Sequence, residues 1–179
     1  MDYSSGWYYA VSRLCSRNMT TTSQNGWPSS ADRNAIAVKN FVIDGANQHF
    51  AMATGAAPVL AAFAAEFNKT VVPINAPGTV YDDWGYGCGD NRGIAAMESN
   101  HASGTALDIN STKHIQGGTV SGYTLSQQIT INHLCTKYGL RWGFNYHTNK
   151  DPMHFEIVET PAQVKARIAT MKLPIPKTL

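Results

Sequence analysis

The chain has 179 residues, a length that is typical of one compact domain and sufficient to bury a hydrophobic core. Hydrophobic residues make up 43% of the chain and charged residues only 15%, which argues against disorder driven by charge. The 14 basic and 12 acidic residues give a formal net charge of +2, which is too small to indicate nucleic acid as the main partner.

The sequence predicts neither a membrane span nor a secretory leader. The most apolar stretch, residues 56–67, contains Pro58 and Glu66 and is shorter than the ~18 residues that a span requires. Residues 1–17 contain no basic segment that leads into an apolar run. We therefore expect no membrane insertion, and synthesis in the cytoplasm without a signal peptide.

The three cysteines, Cys15, Cys88 and Cys135, are odd in number and include no CxxC pair. Their spacing predicts neither a disulfide framework nor a thiolate zinc site. We expect all three to be buried or incidental thiols.

Residues 1–45 are rich in Ser, Asn, Thr and Gly and predict a loop-rich segment that precedes a core formed by residues 46–179. The first predicted helix covers residues 56–68, in which Val59, Leu60, Phe63 and Phe67 share one face. The β-branched run at residues 71–74 predicts a short strand. The glycine-rich and aromatic segment 84–93 predicts a shaped loop that is suited to ligand contacts.

Two further helices are predicted from their end signals. Thr124 and Gln127 match a capping box, and Gly139 is a suitable stop. Thr160 and Pro161 open the last helix. Between these helices, residues 140–146 and 153–158 predict two strands of a hairpin with a polar tip at residues 147–150. This order predicts a single α+β domain over residues 1–179, with a small antiparallel sheet and flanking helices.

Two segments, residues 99–108 and 151–156, concentrate potential metal ligands. His101, Asp108 and His154 supply three nitrogen or oxygen donors, the number that a hydrolytic zinc site uses while leaving a fourth position for water. In an extended strand Asp108 shares a face with Ala106, and His154 shares a face with Glu156. The two segments form one site if the chain doubles back.

The sequences of both segments resemble those of the M15 family of zinc peptidases, which includes the VanX and VanY D,D-peptidases and phage L-alanyl-D-glutamate endolysins. The family stretch S-x-H-x-x-G-x-A-x-D is matched at its fixed positions by Ser99, His101, Gly104, Ala106 and Asp108.

A second family mark is an acidic residue three positions before a ligand histidine, which Asp151 and His154 match. Many family members have glutamate there in an E-x-W-H setting, whereas the Asp-Pro-Met-His of this chain resembles the phage branch. Upstream, Asn91-Arg92-Gly93 resembles the arginine loop of the family.

The resemblance implies a hedgehog/D,D-peptidase-like fold and a zinc ion (Zn2+) held by His101, Asp108 and His154. It implies that Asp151 is the general base or acid of catalysis. Glu156 is expected to support the metal ligands without contacting the metal itself. The alternative is that Glu156 is the general base.

For the remaining candidates the sequence leaves two roles open. Arg92 is expected to stabilise the oxyanion or hold a substrate carbonyl, with a surface ion pair as the alternative. Ser99 either hydrogen-bonds the substrate or shapes its own turn. Tyr86 either walls a peptide groove or packs in the core.

The expected function is zinc-dependent hydrolysis of an amide bond in the stem peptide of bacterial peptidoglycan, by a phage L-alanyl-D-glutamate endopeptidase. Such an enzyme reaches the cell wall through a holin, or within a virion, where other tail proteins would be its partners. A D-alanyl-D-alanine carboxypeptidase is the first alternative. A non-catalytic binding or virion module that retains zinc is the second.

Overall fold

The computed structural model describes residues 20–75, 81–88 and 99–179. Two short 3-10 helices, Asn100–Ser103 and Gly143–Asn145, lie close to the candidate site. In chain order, the strands and α-helices of these residues are β1 Thr21–Thr22, β2 Pro28–Ser29, β3 Val38–Val42, β4 His49–Ala53, α1 Ala57–Thr70, β5 Ala106–Asp108, α2 Leu125–Tyr138, β6 Leu140–Trp142, β7 His154–Ile157 and α3 Pro161–Met171. The expected α+β class is confirmed.

The central sheet has three antiparallel strands in the order β5-β7-β6. All four residues of β7 are buried, although two of them are polar. Phe155 and Ile157 belong to the hydrophobic core, and His154 and Glu156 alternate with them. Because side chains alternate between the faces of a strand, one face of β7 packs into the core and the other carries the polar pair.

Helix α1 packs its apolar face on this sheet. Val59, Leu60, Phe63 and Phe67 are fully buried, as the helical spacing predicts. The Phe155 ring lies 5.1 Å from that of Phe63 and 5.4 Å from that of Phe67. Full burial of one such ring contributes about 1.5–3 kcal/mol to folding. None of the described helices is long and apolar enough to cross a membrane.

The ends of α2 and α3 follow the predicted signals. Thr124 and Gln127 form a capping box at the start of α2, and Gly139 ends the helix in the left-handed conformation at φ +69°. Thr160 and Gln163 form a second capping box at the start of α3. Both boxes satisfy backbone N–H groups that the first helical turn leaves without partners.

Two strand predictions need correction. Residues 71–74 form no strand, because Val71 caps the end of α1 and Pro73 lacks the N–H that a sheet ladder requires. The predicted strand 140–146 ends at Trp142 and continues as a 3-10 helix. A Cβ atom on Gly143 would lie 2.5 Å from the carbonyl oxygen of Asp151, so the chain turns here around a tight backbone contact.

The segment expected to be loop-rich contains regular structure. Strand β3 pairs with β4 over five residues, and β1 pairs with β2. Phe41, Phe50 and Met52 of the β3–β4 hairpin are almost completely buried in the main core. Lys39 and Asn40 lie between the buried positions of β3, so the hydrophobic pattern of this strand is too short to be recognised in the sequence.

The expectation of three free thiols is wrong for Cys88, which is disulfide-bonded. Cys135 is a free thiol buried in α2, as expected. Burial raises its pKa to about 12, so it is protonated and unreactive at neutral pH. Cys15 lies outside the described residues. A disulfide requires two cysteines to be close in space, and their spacing along the chain does not determine this distance.

Candidate metal centre

His101 lies in the short 3-10 helix Asn100–Ser103, whose start and end are fixed by two residues of the sequence motif. The Ser99 hydroxyl accepts a hydrogen bond from the backbone N–H of His101 at 3.2 Å. Gly104 ends the turn with φ +66°, and a Cβ there would lie 2.6 Å from the backbone nitrogen of Ala53. Only glycine fits this conformation and this space without strain.

The sheet brings Asp108 and His154 face to face. Asp108 of β5 lies directly opposite His154 of β7 in the antiparallel register. Directly opposite residues project from the same face of a sheet, with their Cβ atoms about 4.5–5.5 Å apart. The 3-10 helix places His101 above the same face.

Three donor atoms converge there. His101 Nε2 lies 3.2 Å from Asp108 Oδ1 and 3.1 Å from His154 Nδ1, and His154 Nδ1 lies 2.9 Å from Asp108 Oδ1. Two imidazole nitrogens and one carboxylate oxygen form a donor set that suits a first-row divalent metal ion. The structure thus contains a candidate metal site made of the three residues that the sequence predicts.

The remaining nitrogen of each imidazole has a partner that only accepts hydrogen bonds. His101 Nδ1 donates to the Gly85 carbonyl oxygen at 2.6 Å, and His154 Nε2 donates to Glu156 Oε2 at 3.3 Å. In the neutral imidazoles these partners fix the tautomers, so the lone pairs of His101 Nε2 and His154 Nδ1 point towards the shared centre. This arrangement orients imidazoles for metal binding.

The electrostatics of the cluster favour positive charge. Burial alone raises the pKa of Asp108, but His101 and His154 overcome this effect and hold it well below its usual range. Burial alone lowers the pKa of His154, but hydrogen bonds to Asp108 and Glu156 raise it to about 10. In the absence of a metal, a proton on His154 supplies the positive charge. A divalent cation would displace it.

Glu156 is saturated with hydrogen-bond donors. Its Oε1 accepts from Arg141 Nε at 2.8 Å and from the Tyr146 hydroxyl at 2.6 Å. Its Oε2 accepts from Asn100 Nδ2 at 2.5 Å and from His154. These contacts leave little acceptor capacity for a water proton, so the geometry favours support of His154 over general-base action.

Asp151 is buried beside the three converging side chains, and its two oxygens differ. Asp151 Oδ2 accepts a hydrogen bond from Gln116 Nε2 at 3.0 Å. Asp151 Oδ1 is buried and has no partner in the described part of the chain. Burial raises the pKa of this carboxyl to about 6. The charges of His154 and His101 act to lower this pKa, and the charge of Asp108 acts to raise it. An unpaired buried carboxylate oxygen is suited to receive a proton from a bound molecule.

The other predicted residues are placed as follows. Arg92 lies outside the described residues. Ser99 caps its own turn, which is one of its two expected roles. The Tyr86 hydroxyl donates to the Ser30 carbonyl oxygen at 2.7 Å and so helps to hold segment 81–88 against the rest of the domain. Substrate contacts of Ser99, Tyr86 and Arg92 stay predictions.

Four residues that support the site are not among those that the sequence predicts. Asn100 is adjacent to His101 in the motif, and this position was an available signal. No local pattern indicates Gln116, Arg141 or Tyr146, because each reaches Asp151 or Glu156 only through long-range packing.

Residues 92–157 match the family model described as D-alanyl-D-alanine carboxypeptidase, which belongs to peptidase family M15. The match covers just over a third of the chain and contains all three converging side chains and Asp151. This segment is similar to the M15 peptidases. This similarity fits the hedgehog-like fold that the sequence predicts. Neither the search of curated proteins nor the search of solved structures found a match.

Proposed function

We propose that the chain is a zinc-dependent peptidase that hydrolyses an amide bond in the stem peptide of bacterial peptidoglycan. The observation that carries this proposal is the convergence of His101 Nε2, Asp108 Oδ1 and His154 Nδ1 beside the unpaired Oδ1 of Asp151. The similarity of residues 92–157 to the M15 peptidases supports both the chemistry and the substrate class.

His101, Asp108 and His154 would hold the zinc ion. Bound zinc lowers the pKa of water to about 7 and polarises a carbonyl, which makes amide hydrolysis feasible near neutral pH. Asp151 takes the proton of the attacking water on Oδ1 and delivers it to the leaving amine. Gln116 holds Oδ2, and because its amide nitrogen only donates hydrogen bonds, it leaves Oδ1 as the oxygen that carries the proton. Arg92, in the segment that resembles the family's arginine loop, is proposed to support the substrate carbonyl.

Two bonds are candidates for cleavage. The Asp-Pro-Met-His-Phe-Glu segment, which resembles the phage branch, supports an L-alanyl-D-glutamate endopeptidase that acts on the cell wall as a phage lysin. The description of the matched family model supports a D-alanyl-D-alanine carboxypeptidase as the second candidate.

Digestion of purified peptidoglycan separates these activities. The endopeptidase releases a new amino terminus on D-glutamate, whereas the carboxypeptidase releases free D-alanine. Hydrolysis should stop with a chelator and return with zinc. The protein should bind one equivalent of zinc, and zinc binding without any hydrolysis would instead indicate a non-catalytic module.

A pair of variants tests the role of Asp151. We expect Asp151→Asn to keep its zinc and to lose at least ~100-fold in turnover, because general acid–base catalysis contributes about 10²–10⁴-fold. Asp44→Asn is the matched control, since Asp44 is exposed and lies outside the site. Equal wall clearance by Asp151→Asn and the parent would remove Asp151 from the mechanism.

A further inference from the structure

Trp84 lies in line with two residues of the metal centre. It forms an isolated antiparallel bridge with Asp108, in which each residue donates its backbone N–H to the carbonyl oxygen of the other, at 3.0 Å and 2.8 Å. Asp108 in turn lies opposite His154. Because directly opposite residues project from the same face, the side chains of Trp84, Asp108 and His154 form a row on one face of the sheet.

Trp84 is the most exposed of the three tryptophans in the described part of the chain. Its relative exposure is 54%, whereas Trp27 and Trp142 are 6% and 1% exposed. An exposed indole in this row leaves a large apolar surface in water beside a metal ligand. Exposed apolar surface next to convergent polar groups is characteristic of ligand-binding sites.

We propose that Trp84 is a substrate-binding residue whose indole packs against the stem peptide beside the scissile amide. This inference rests on the proposed function. Neighbouring strands lie about 4.8 Å apart, and one extended peptide residue spans about 3.3–3.6 Å. A ring one strand away from Asp108 therefore contacts the substrate within one or two residues of the bond that is cut.

The indole offers a flat apolar face and fixes neither the metal nor the proton-transfer groups. Its contribution is therefore to substrate binding and not to the chemical step. Loss of a binding contact raises KM and leaves kcat nearly unchanged.

The experiment compares Trp84→Ala, Trp84→Phe and the control Tyr81→Ala on soluble stem peptides that lack sugars. Tyr81 is an exposed aromatic residue of the same segment, at 70%, and lies outside the Trp84–Asp108 bridge. We expect Trp84→Ala to raise KM about tenfold with kcat within twofold and zinc content unchanged. Trp84→Phe should recover part of the loss, and Tyr81→Ala should match the parent.

A binding measurement gives a second readout. In the Asp151→Asn background, addition of stem peptide should change the tryptophan fluorescence, and the further change Trp84→Phe should abolish most of that signal. An unchanged KM in Trp84→Ala, or an effect seen only with substrates that carry the disaccharide, overturns the peptide contact. A parent that neither binds nor hydrolyses wall peptides refutes the proposed function itself, and the Trp84 inference with it.

Discussion

Replacing Glu156 with glutamine would keep the shape of a buried side chain while exchanging one acceptor oxygen for an amide group that donates. Glu156 is 1% exposed and is surrounded by donors from Arg141, Tyr146, Asn100 and His154. If the new amide nitrogen faces His154 and Asn100, it meets two other hydrogen-bond donors and forms no hydrogen bond with either. If the amide nitrogen faces Arg141, it meets the N–H donors of the guanidinium instead of an acceptor.

Reorientation of Asn100 does not relieve the first of these conflicts. The side-chain oxygen of Asn100 accepts a hydrogen bond from the backbone N–H of Asn25 at 3.1 Å, which fixes the orientation of the amide. A lost hydrogen bond to a charged group costs about 1.5–3 kcal/mol, and breaking a buried ion pair costs about 3–5 kcal/mol. The side chain of Arg141 is 50% exposed, so solvent compensates for part of that loss. We therefore expect Glu156→Gln to lower the free energy of unfolding by about 3 kcal/mol.

The same change should weaken metal binding. Glu156 holds the His154 imidazole through Nε2, and loss of such a partner typically lowers metal affinity by about 10–100-fold. Urea denaturation with a chelator present measures the stability of the metal-free protein, and competition with a chromophoric chelator measures the zinc affinity.

Glu159→Gln provides the matched control for this experiment. Glu159 pairs with Arg167 through the same chemical groups, away from the metal centre. We expect this variant to bind zinc as the parent does, so that it separates the loss of a carboxylate–guanidinium pair from an effect on the metal centre. If the zinc affinity of Glu156→Gln stays within twofold of that of the parent, Glu156 does not orient the His154 ligand.

Three further predictions concern the backbone, the effect of pH and proton transfer. Gly104→Ala should lower the free energy of unfolding by at least about 2 kcal/mol, because its Cβ would lie 2.6 Å from the nitrogen of Ala53 at φ +66°. A loss below about 0.5 kcal/mol in urea denaturation would contradict this packing. In the metal-free protein, His154 has a pKa of about 10 against an ordinary value of 6.5, so its stabilising contribution is complete below pH 6.5 and is lost as the pH rises through 10. The free energy of unfolding with chelator present should therefore fall between pH 7 and pH 10, and a flat profile would refute the His154 ion pairs. Gln116→Leu should reduce kcat about tenfold with little change in KM, because Asp151 loses the donor that holds it; an unchanged kcat would exclude this positioning role.

The elements that the sequence predicts accurately are those with local signals. Thr124, Gln127 and Gly139 determine the ends of α2 through contacts within one or two helical turns. Strand β3 was missed because its burial depends on the partner strand β4 and on helix α1. The short strand expected at residues 71–74 is interrupted by Pro73, whose effect outweighs the β-branched residues around it.

The residues of the candidate site also divide into those that a local sequence pattern predicts and those that only the folded chain brings together. A sequence motif predicts His101, Asp108 and His154 as ligands, and the structure brings them together. Gln116 approaches Asp151 across 35 positions of sequence, and no spacing rule predicts that contact. The close approach of Gly143 to Asp151 is equally a property of the folded chain.

Strand β7 and its neighbour β5 are anchored by the hydrophobic core, whereas two groups around the candidate site come from irregular segments. Asp108 and His154 belong to paired strands, while Trp84 and Gln116 belong to residues 81–88 and to the connection before α2. Segment 81–88 is nevertheless joined to the converging side chains, because the Gly85 carbonyl oxygen accepts the hydrogen bond from His101 Nδ1 and Trp84 pairs with Asp108. A change confined to the Trp84 side chain would alter only the exposed surface, whereas a change in the backbone of residues 81–88 would also disturb the His101 imidazole.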